Sequence, residues 1–176
     1  MVKRKILGLD SNSSGFSLLE VLVVIVLIAI VSAFAAPGWL GYLNRQRIGR
    51  ARGDLVQALQ QAQTDARQRN SPRVVSIASN SPPQIEISAP GEDGIIVDLG
   101  GDQTETLSLT GGPAAAVPSV TFDFKGQVED TTVPFVFSVT SSQIQDGGVR
   151  CVIVSTLLGN IVQAEGEDCN NTAGLQ

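Results

Sequence analysis

The hydrophobic pattern divides the chain into three parts. Residues 16–36 read FSLLEVLVVIVLIAIVSAFAA, an apolar run of 21 residues that contains one charged residue, Glu20. As a helix rising about 1.5 Å per residue, this run would span ~30 Å, which is the thickness of a bilayer core. The first part of the pattern therefore predicts a membrane-spanning half-helix at 16–36.

A second helical pattern occupies residues 37–70. Pro37 predicts a bend, because proline lacks the amide donor and crowds the preceding helical turn. Beyond it, apolar residues recur at intervals of three and four, with polar residues between them: Ile48, Ala51, Leu55, Leu59, Ala62 and Ala66. This spacing predicts an amphipathic half-helix with one apolar stripe, ended by Ser71-Pro72.

The period changes to two from residue 73 onward. Eight segments rich in Val, Ile, Thr and Phe are separated by clusters of Gly, Pro, Asn and Asp. They read RVVSIAS, QIEIS, GIIVDL, ETLSLT, SVTFDFK, PFVFSVT, VRCVIVST and NIVQA. Alternation places two sets of apolar residues on faces that need a cover: Val120, Phe122 and Phe124, and Phe135, Phe137 and Val139. We expect the strands to form an antiparallel sheet, in a β domain at 71–176 that packs against the amphipathic half-helix, and hence an α+β fold.

Charge is distributed unevenly along the chain. Residues 45–73 contain seven arginines and two aspartates, whereas residues 74–176 contain two cations and thirteen acids. A body this acidic would repel nucleic acid, so an anion would be attracted only by the arginines that follow the apolar run. The first four of them are Arg45, Arg47, Arg50 and Arg52. Their expected roles are a solvated helix face, lipid headgroup contact or pairing with an acidic neighbouring subunit.

The sequence offers little chemistry for an enzyme. It contains no histidine, which removes the commonest general base and metal ligand, and its two cysteines lack zinc-site spacing. Adjacent acids at Glu92-Asp93 and Glu129-Asp130 are typical of solvated loops, with a calcium site as the alternative. We therefore predict no catalytic residue, no cofactor and no resident metal.

The beginning of the chain, MVKRKILGLDSNSSG, resembles a leader with a basic start at residues 3–5. Positive charge before an apolar segment favours a cytoplasmic N-terminus, although the arginines beyond the segment favour the opposite orientation. Glu20 would cost roughly 2.5–3.5 kcal/mol at the centre of a bilayer, so it either snorkels to the headgroups or meets a partner. Cleavage after Gly15 would give Phe16 an α-ammonium group, which Glu20 of a neighbouring subunit could neutralise.

The residues Gly15-Phe16-Ser17-Leu18-Leu19-Glu20 resemble the class III signal of type IV pilins and type II secretion pseudopilins. The resemblance implies cleavage by prepilin peptidase between Gly15 and Phe16, N-methylation of Phe16, subunit assembly through Glu20 and a helix bend at Pro37. Three further segments, 54–62, 66–70 and 120–128, are similar to the GspH/FimT group of minor pilins and pseudopilins.

This resemblance implies a pilin-like fold preceded by a prepilin leader at 1–15. It implies a single-pass inner-membrane precursor with a cytoplasmic N-terminus and a periplasmic C-terminal domain. The implied partners are other pilin or pseudopilin subunits, prepilin peptidase and the inner-membrane assembly machinery. The implied function is to help initiate or cap a type II secretion pseudopilus or a type IV pilus.

Alternatives to this reading follow from other features of the sequence. Some pilus members of the group bind DNA through a basic Gly-Arg-x-Arg motif, and this chain has Gly159-Asn160-Ile161-Val162 at the corresponding turn. A DNA-uptake or adhesive minor pilin is therefore one alternative. Ala33-Phe34-Ala35 has the small-x-small form that signal peptidase cuts, which would release a secreted domain. A plain membrane anchor would instead carry a periplasmic binding domain.

Cys151 and Cys169 are the only cysteines, and a location outside the membrane permits their oxidation. A bridge would enclose a loop of about 17 residues and would stabilise the fold by roughly 3 kcal/mol in the chain-entropy model. It would hold the polar C-terminal tail against a late strand. The alternative is a pair of free, buried thiols.

Overall fold

The structure is a computed structural model that describes residues 15–102, 104–112, 119–128, 133–143 and 148–170, apart from the side chains of 35–38 and 40. The predicted leader therefore lies outside the described residues, except for Gly15. The chain divides into two compact units, Met1–Trp39 and Leu40–Gln176.

One helix, α1 (Leu18–Arg69), accounts for all the helical signal before the strands. It confirms the helix expected between residues 16 and 70, and its backbone stays helical through Pro37. The bend at Pro37 stays a prediction. The helix ends where Asn70 adopts a left-handed backbone conformation (φ 50°), a common C-terminal cap when proline follows shortly after, as Pro72 does here.

Within the described ranges, eight strands follow α1, and each of the predicted segments contains one of them. They are β1 (Arg73–Ser79), β2 (Gln84–Ser88), β3 (Ile95–Asp98), β4 (Leu107–Gly111), β5 (Ser119–Phe122), β6 (Phe135–Ser141), β7 (Arg150–Val154) and β8 (Ile161–Glu165). They form two antiparallel sheets rather than one, with the orders β3-β2-β1-β5 and β4-β6-β7-β8. β4 and β5 thus cross between the sheets, because β4 pairs with β6 and β5 returns to β1.

A single apolar core joins the second half of α1 to both sheets. The predicted stripe is at most 1% exposed over its whole length, from Ile48 to Ala66. The same cluster contains residues from each sheet, among them Val75, Val120 and Phe122 from the first and Leu109, Phe137 and Val152 from the second. The stripe therefore covers the apolar faces as the sequence pattern predicts.

Phe124 departs from the predicted alternation. β5 ends at Phe122, and the Asp123 carboxylate then accepts hydrogen bonds from the backbone amides of Lys125 (2.8 Å) and Gln127 (2.7 Å). This turn, centred on an aspartate, takes Phe124 out of the strand and leaves it 51% exposed. The expectation that Phe124 shares the buried face of β5 is wrong.

Cys151 and Cys169 form a disulfide with their Cα atoms 5.8 Å apart, which confirms the predicted bridge. The second cysteine ends a short 3-10 helix, Gly166–Cys169, which follows β8. Together with Ile153, the two cysteines form a small buried cluster separate from the main core. The bridge therefore lets β7 be buried on both faces, and four of its five residues are buried.

Candidate functional site: the N-terminal segment and the basic cleft

The predicted cleavage junction lies just ahead of α1. Gly15, Phe16 and Ser17 are exposed and are not helical. Exposed chain outside regular secondary structure is where proteolytic cleavage concentrates. The local structure is therefore compatible with processing between Gly15 and Phe16, which stays a prediction.

Glu20 lies in the first turn of α1 and its side chain is exposed. Its negative charge is favourable there, because the N-terminus of a helix carries a partial positive charge. None of the ion pairs formed among the described residues involves Glu20. Its predicted role in assembly requires a neighbouring chain and stays a prediction.

From Leu18 to Phe34, α1 exposes apolar side chains on all sides. Leu18 and Phe34 are each 83% exposed, and the large apolar residues between them are all at least 47% exposed. A contiguous apolar surface of this extent is typical of contact with another protein or with a membrane.

The sequence predicts a segment able to span a membrane at residues 16–36. In the part of the chain that the structure describes, none of the helices combines the length and the apolar character needed to cross a bilayer.

The four arginines after the apolar run have different surroundings. Arg45 and Arg50 are exposed. Arg47 is half-buried and donates from Nη1 to Oδ1 of Asn44, one turn earlier in α1, at 3.4 Å. Arg52 is 18% exposed and donates to the Glu165 carboxylate at 2.7 Å. Arg52 therefore stabilises the contact between α1 and β8, and the anion-binding role predicted for these four residues stays a prediction.

A fifth arginine, Arg150, joins this group from the start of β7. It is paired in register with Glu165 on β8, and its Nε lies 3.4 Å from that carboxylate. Its Nη1 lies against α1 at Gly49, where an added Cβ would be only 2.6 Å away. Sequence reasoning missed Arg150, because its only signal is a cross-strand partner of opposite charge, which becomes visible once the strands are paired.

Arg45 and Arg150 line one open cleft together with Tyr42 and Gln46, with a volume of about 400 Å³. We call this the basic cleft. All four side chains carry hydrogen-bond donors, and none is a carboxylate. The basic cleft is therefore suited to an oxyanion.

Two side chains near the end of α1, Gln63 and Arg67, hold the turns that follow β5 and β7. Gln63 Nε2 donates to the carbonyl oxygens of Gly126 (2.8 Å) and Gly159 (3.1 Å). Arg67 Nε donates to the carbonyl oxygen of Lys125 at 2.9 Å. The helix thus fixes both the turn after β5 and the turn between β7 and β8. The second turn contains Gly159-Asn160, where the DNA-binding motif of some pilus proteins would lie, and the DNA-uptake alternative stays a prediction.

The two acidic pairs were candidates for a calcium site. Within the described ranges, no three acidic, cysteine or histidine side chains are placed to hold a metal ion together. Glu92 lies 3.6 Å from the buried guanidinium of Arg73, so the first acidic pair is engaged in part with the protein itself. The second pair, Glu129-Asp130, lies outside the described residues.

Comparison with known families finds one match, at the N-terminus. Residues 10–36 match the prokaryotic N-terminal methylation motif. The matched range contains the Gly15-Phe16 junction, Glu20 and the apolar run. This motif implies an N-terminal anchor in the membrane like that of prepilins.

Comparison with solved structures finds the type IV minor pilin FimU of Pseudomonas aeruginosa strain PAO1. Its crystal structure in space group P21 is 20% identical to this chain with a TM-score of 0.54, over 73% of this chain and 98% of that one. A second crystal form, P65, gives 19% identity and a TM-score of 0.49, over 68% and 97% of the two chains. No curated protein matches the chain significantly.

The two matches are independent, since one rests on the N-terminal sequence and the other on the fold. At 20% identity the structural likeness establishes the fold. The chain therefore combines the N-terminal methylation motif with a fold like that of a type IV minor pilin.

Proposed function

We propose that the chain is a minor pilin or pseudopilin subunit that helps initiate or cap a type II secretion pseudopilus or a type IV pilus. The observation that carries the proposal is the methylation motif at 10–36, placed on the exposed start of a helix whose second half belongs to a pilin-like body. Prepilin peptidase cuts between Gly15 and Phe16, and Phe16 is then N-methylated.

Before assembly, the segment 16–36 anchors the precursor in the inner membrane with a single pass. The basic start at residues 3–5 keeps the N-terminus in the cytoplasm, and the sheets fold in the periplasm. The exposure of apolar residues on every side of the segment, from Leu18 to Phe34, supports an environment without water. The orientation rests on the basic start alone, since the arginines beyond the segment favour the opposite one.

In the fibre, the same segment packs against the segments of neighbouring subunits. Glu20 pairs with the α-ammonium group of Phe16 on the next subunit, which removes two unpaired charges from an apolar bundle. Glu20 has an exposed carboxylate in the first turn of α1, so it can reach a neighbouring chain. Extraction from the membrane is driven by an ATP-dependent machine, because the chain has no nucleotide-binding loop of its own.

The experiment compares the full chain with Glu20→Ala and Glu20→Gln in cells that carry the assembly system. Each variant is followed by N-terminal mass analysis and by recovery in the sheared fibre fraction. We expect correct cleavage before Phe16 in all forms, and loss of fibre incorporation in both variants, because each removes the charge. The matched control is Glu105→Ala, which removes an exposed carboxylate from the body.

Incorporation of Glu20→Ala at the level of the unchanged chain would refute the assembly role. A mature N-terminus near Ala36 would identify a secreted domain instead, and an uncut Met1 would identify a plain membrane anchor. Repeating the recovery in strains that lack either the pilus or the secretion machinery assigns the subunit to one of the two systems.

A further inference from the structure

We propose that the basic cleft binds the phosphate of an anionic phospholipid headgroup and so holds the folded body on the membrane surface before assembly. The inference rests on the proposed function for its membrane anchor. It adds a ligand site built from Tyr42, Arg45, Gln46 and Arg150, of which only Arg45 belongs to the arginines singled out by sequence.

The donors in the cleft match the chemistry of a phosphate. Two guanidinium groups, a phenol and a carboxamide line one open space of about 400 Å³, in which Gln46 Nε2 donates to the Tyr42 hydroxyl oxygen at 2.5 Å. Guanidinium forms strong, charge-assisted hydrogen bonds to phosphate oxygens, often through two donors at once. Arg45 is exposed to solvent, and none of the ion pairs among the described residues involves it.

The second guanidinium is positioned by the fold. Arg150 approaches Glu165 through Nε, at 3.4 Å, and its Nη1 lies against Gly49 of α1. The same Glu165 oxygen also accepts from Arg52 at 2.7 Å. One carboxylate, that of Glu165, therefore contacts two arginines. The three groups together carry a net positive charge beside the cleft.

The charge of the helix around the cleft also favours an anionic ligand. Residues 40–52 of α1 contain four arginines and no acid, whereas residues 74–176 carry a net charge of −11 from thirteen acids and two cations. The cleft thus carries positive charge on a body whose remaining sequence is strongly acidic. That acidity opposes binding of a nucleic acid, whose many phosphates would meet the negative remainder of the surface.

The position of the cleft on the chain favours a lipid over an acidic protein. Tyr42 and Arg45 follow closely on the apolar run, and Trp39 and Tyr42 are 63% and 52% exposed. Exposed tryptophan and tyrosine next to an apolar segment are typical of the membrane interface, where arginine also contacts headgroups.

The test uses the purified full chain in a neutral detergent, with native mass spectrometry to count retained lipids. Phosphatidylglycerol is compared with phosphatidylcholine, whose phosphate is offset by its choline. We expect preferential retention of phosphatidylglycerol, reduced about fivefold by Arg45→Gln and by Arg150→Gln, which corresponds to about 1 kcal/mol per arginine. The matched control is Arg69→Gln, which removes an exposed arginine from the other end of α1.

Equal retention of the two lipids would overturn the proposal, and so would a loss in Arg69→Gln equal to that in Arg45→Gln. Inorganic phosphate is the third probe: complete displacement of the lipid by millimolar phosphate would identify a free-anion site and would also overturn it. Since Arg45 is exposed, Arg45→Gln keeps the fold even if Arg150→Gln does not. Lipid retention is independent of fibre incorporation, so failure here leaves the result for Glu20 standing.

Discussion

Gly159 tests how α1 holds the two turns of the body. Its φ of +75° lies in the left-handed region, where a side chain costs roughly 1–2 kcal/mol. An added Cβ would lie 2.5 Å from Nε2 of Gln63 and 2.8 Å from the carbonyl oxygen of Gly126. The Gln63 amide would have to withdraw, and its two hydrogen bonds contribute roughly 0.5–1.5 kcal/mol each. Gly159→Ala should therefore destabilise the fold by about 3 kcal/mol.

Thermal unfolding of the full chain measures this change. For the compact unit Leu40–Gln176, an unfolding entropy of about 2.1 cal/mol/K per residue gives ~0.29 kcal/mol/K. Gly159→Ala should therefore lower the Tm by about 10 °C. The matched control is Gly166→Ala, because Gly166 has a φ of +61° and nothing within 4 Å of an added Cβ. It should lose only the backbone contribution, about 5 °C.

A double-mutant cycle identifies the cause. Gln63→Ala removes the side chain that the new Cβ displaces, so the double variant should cost less than the sum of the two single changes. The reasoning is refuted if Gly159→Ala loses no more than Gly166→Ala. It is also refuted if the two changes add to within about 0.5 kcal/mol.

Three further predictions concern the stability of the body. Gly53 is exposed in mid-helix with nothing within 4 Å of an added Cβ, so Gly53→Ala should raise the Tm by about 3 °C, and a fall would contradict this. Reduction of the Cys151–Cys169 bridge should cost about 3 kcal/mol, measured by unfolding with and without reductant, and an unchanged Tm would show that packing alone holds the 3-10 helix. Glu165→Gln leaves Arg52 without its ionic partner and should cost about 1 kcal/mol at low salt. That loss should shrink in 1 M salt, and one that does not change with salt would contradict an ionic origin.

The sequence pattern located the elements because each is governed by local periodicity. The stripe from Ile48 to Ala66 repeats at helical spacing, and the strands alternate, so both were predictable from neighbouring residues alone. Pairing was not predictable, since alternation specifies the face that a strand buries and not its neighbour in the sheet. The division into two sheets depends on β5 returning to β1, a contact between distant parts of the chain.

The candidate sites divide in the same way. The motif around Gly15, Phe16 and Glu20 is contiguous, so the sequence displays it complete. The basic cleft is not contiguous, because Arg150 comes from β7 and reaches α1 only through the packing of the body. Phe124 was misassigned because a side chain, that of Asp123, ends the strand by capping a turn, and alternation takes no account of such local competition.

The exchange of β4 and β5 between the sheets has a consequence for the order in which the body folds. β6, β7 and β8 are joined in sequence as successive antiparallel neighbours, so their contacts close short loops and form early. The pairing of β1 with β5 closes a much longer loop, which encloses β2, β3 and β4. Contacts between distant residues slow folding. We therefore expect the edge formed by β5 to be the last part of the sheets to close, so that β1 remains an open edge, exposed to pairing with other chains, for longest.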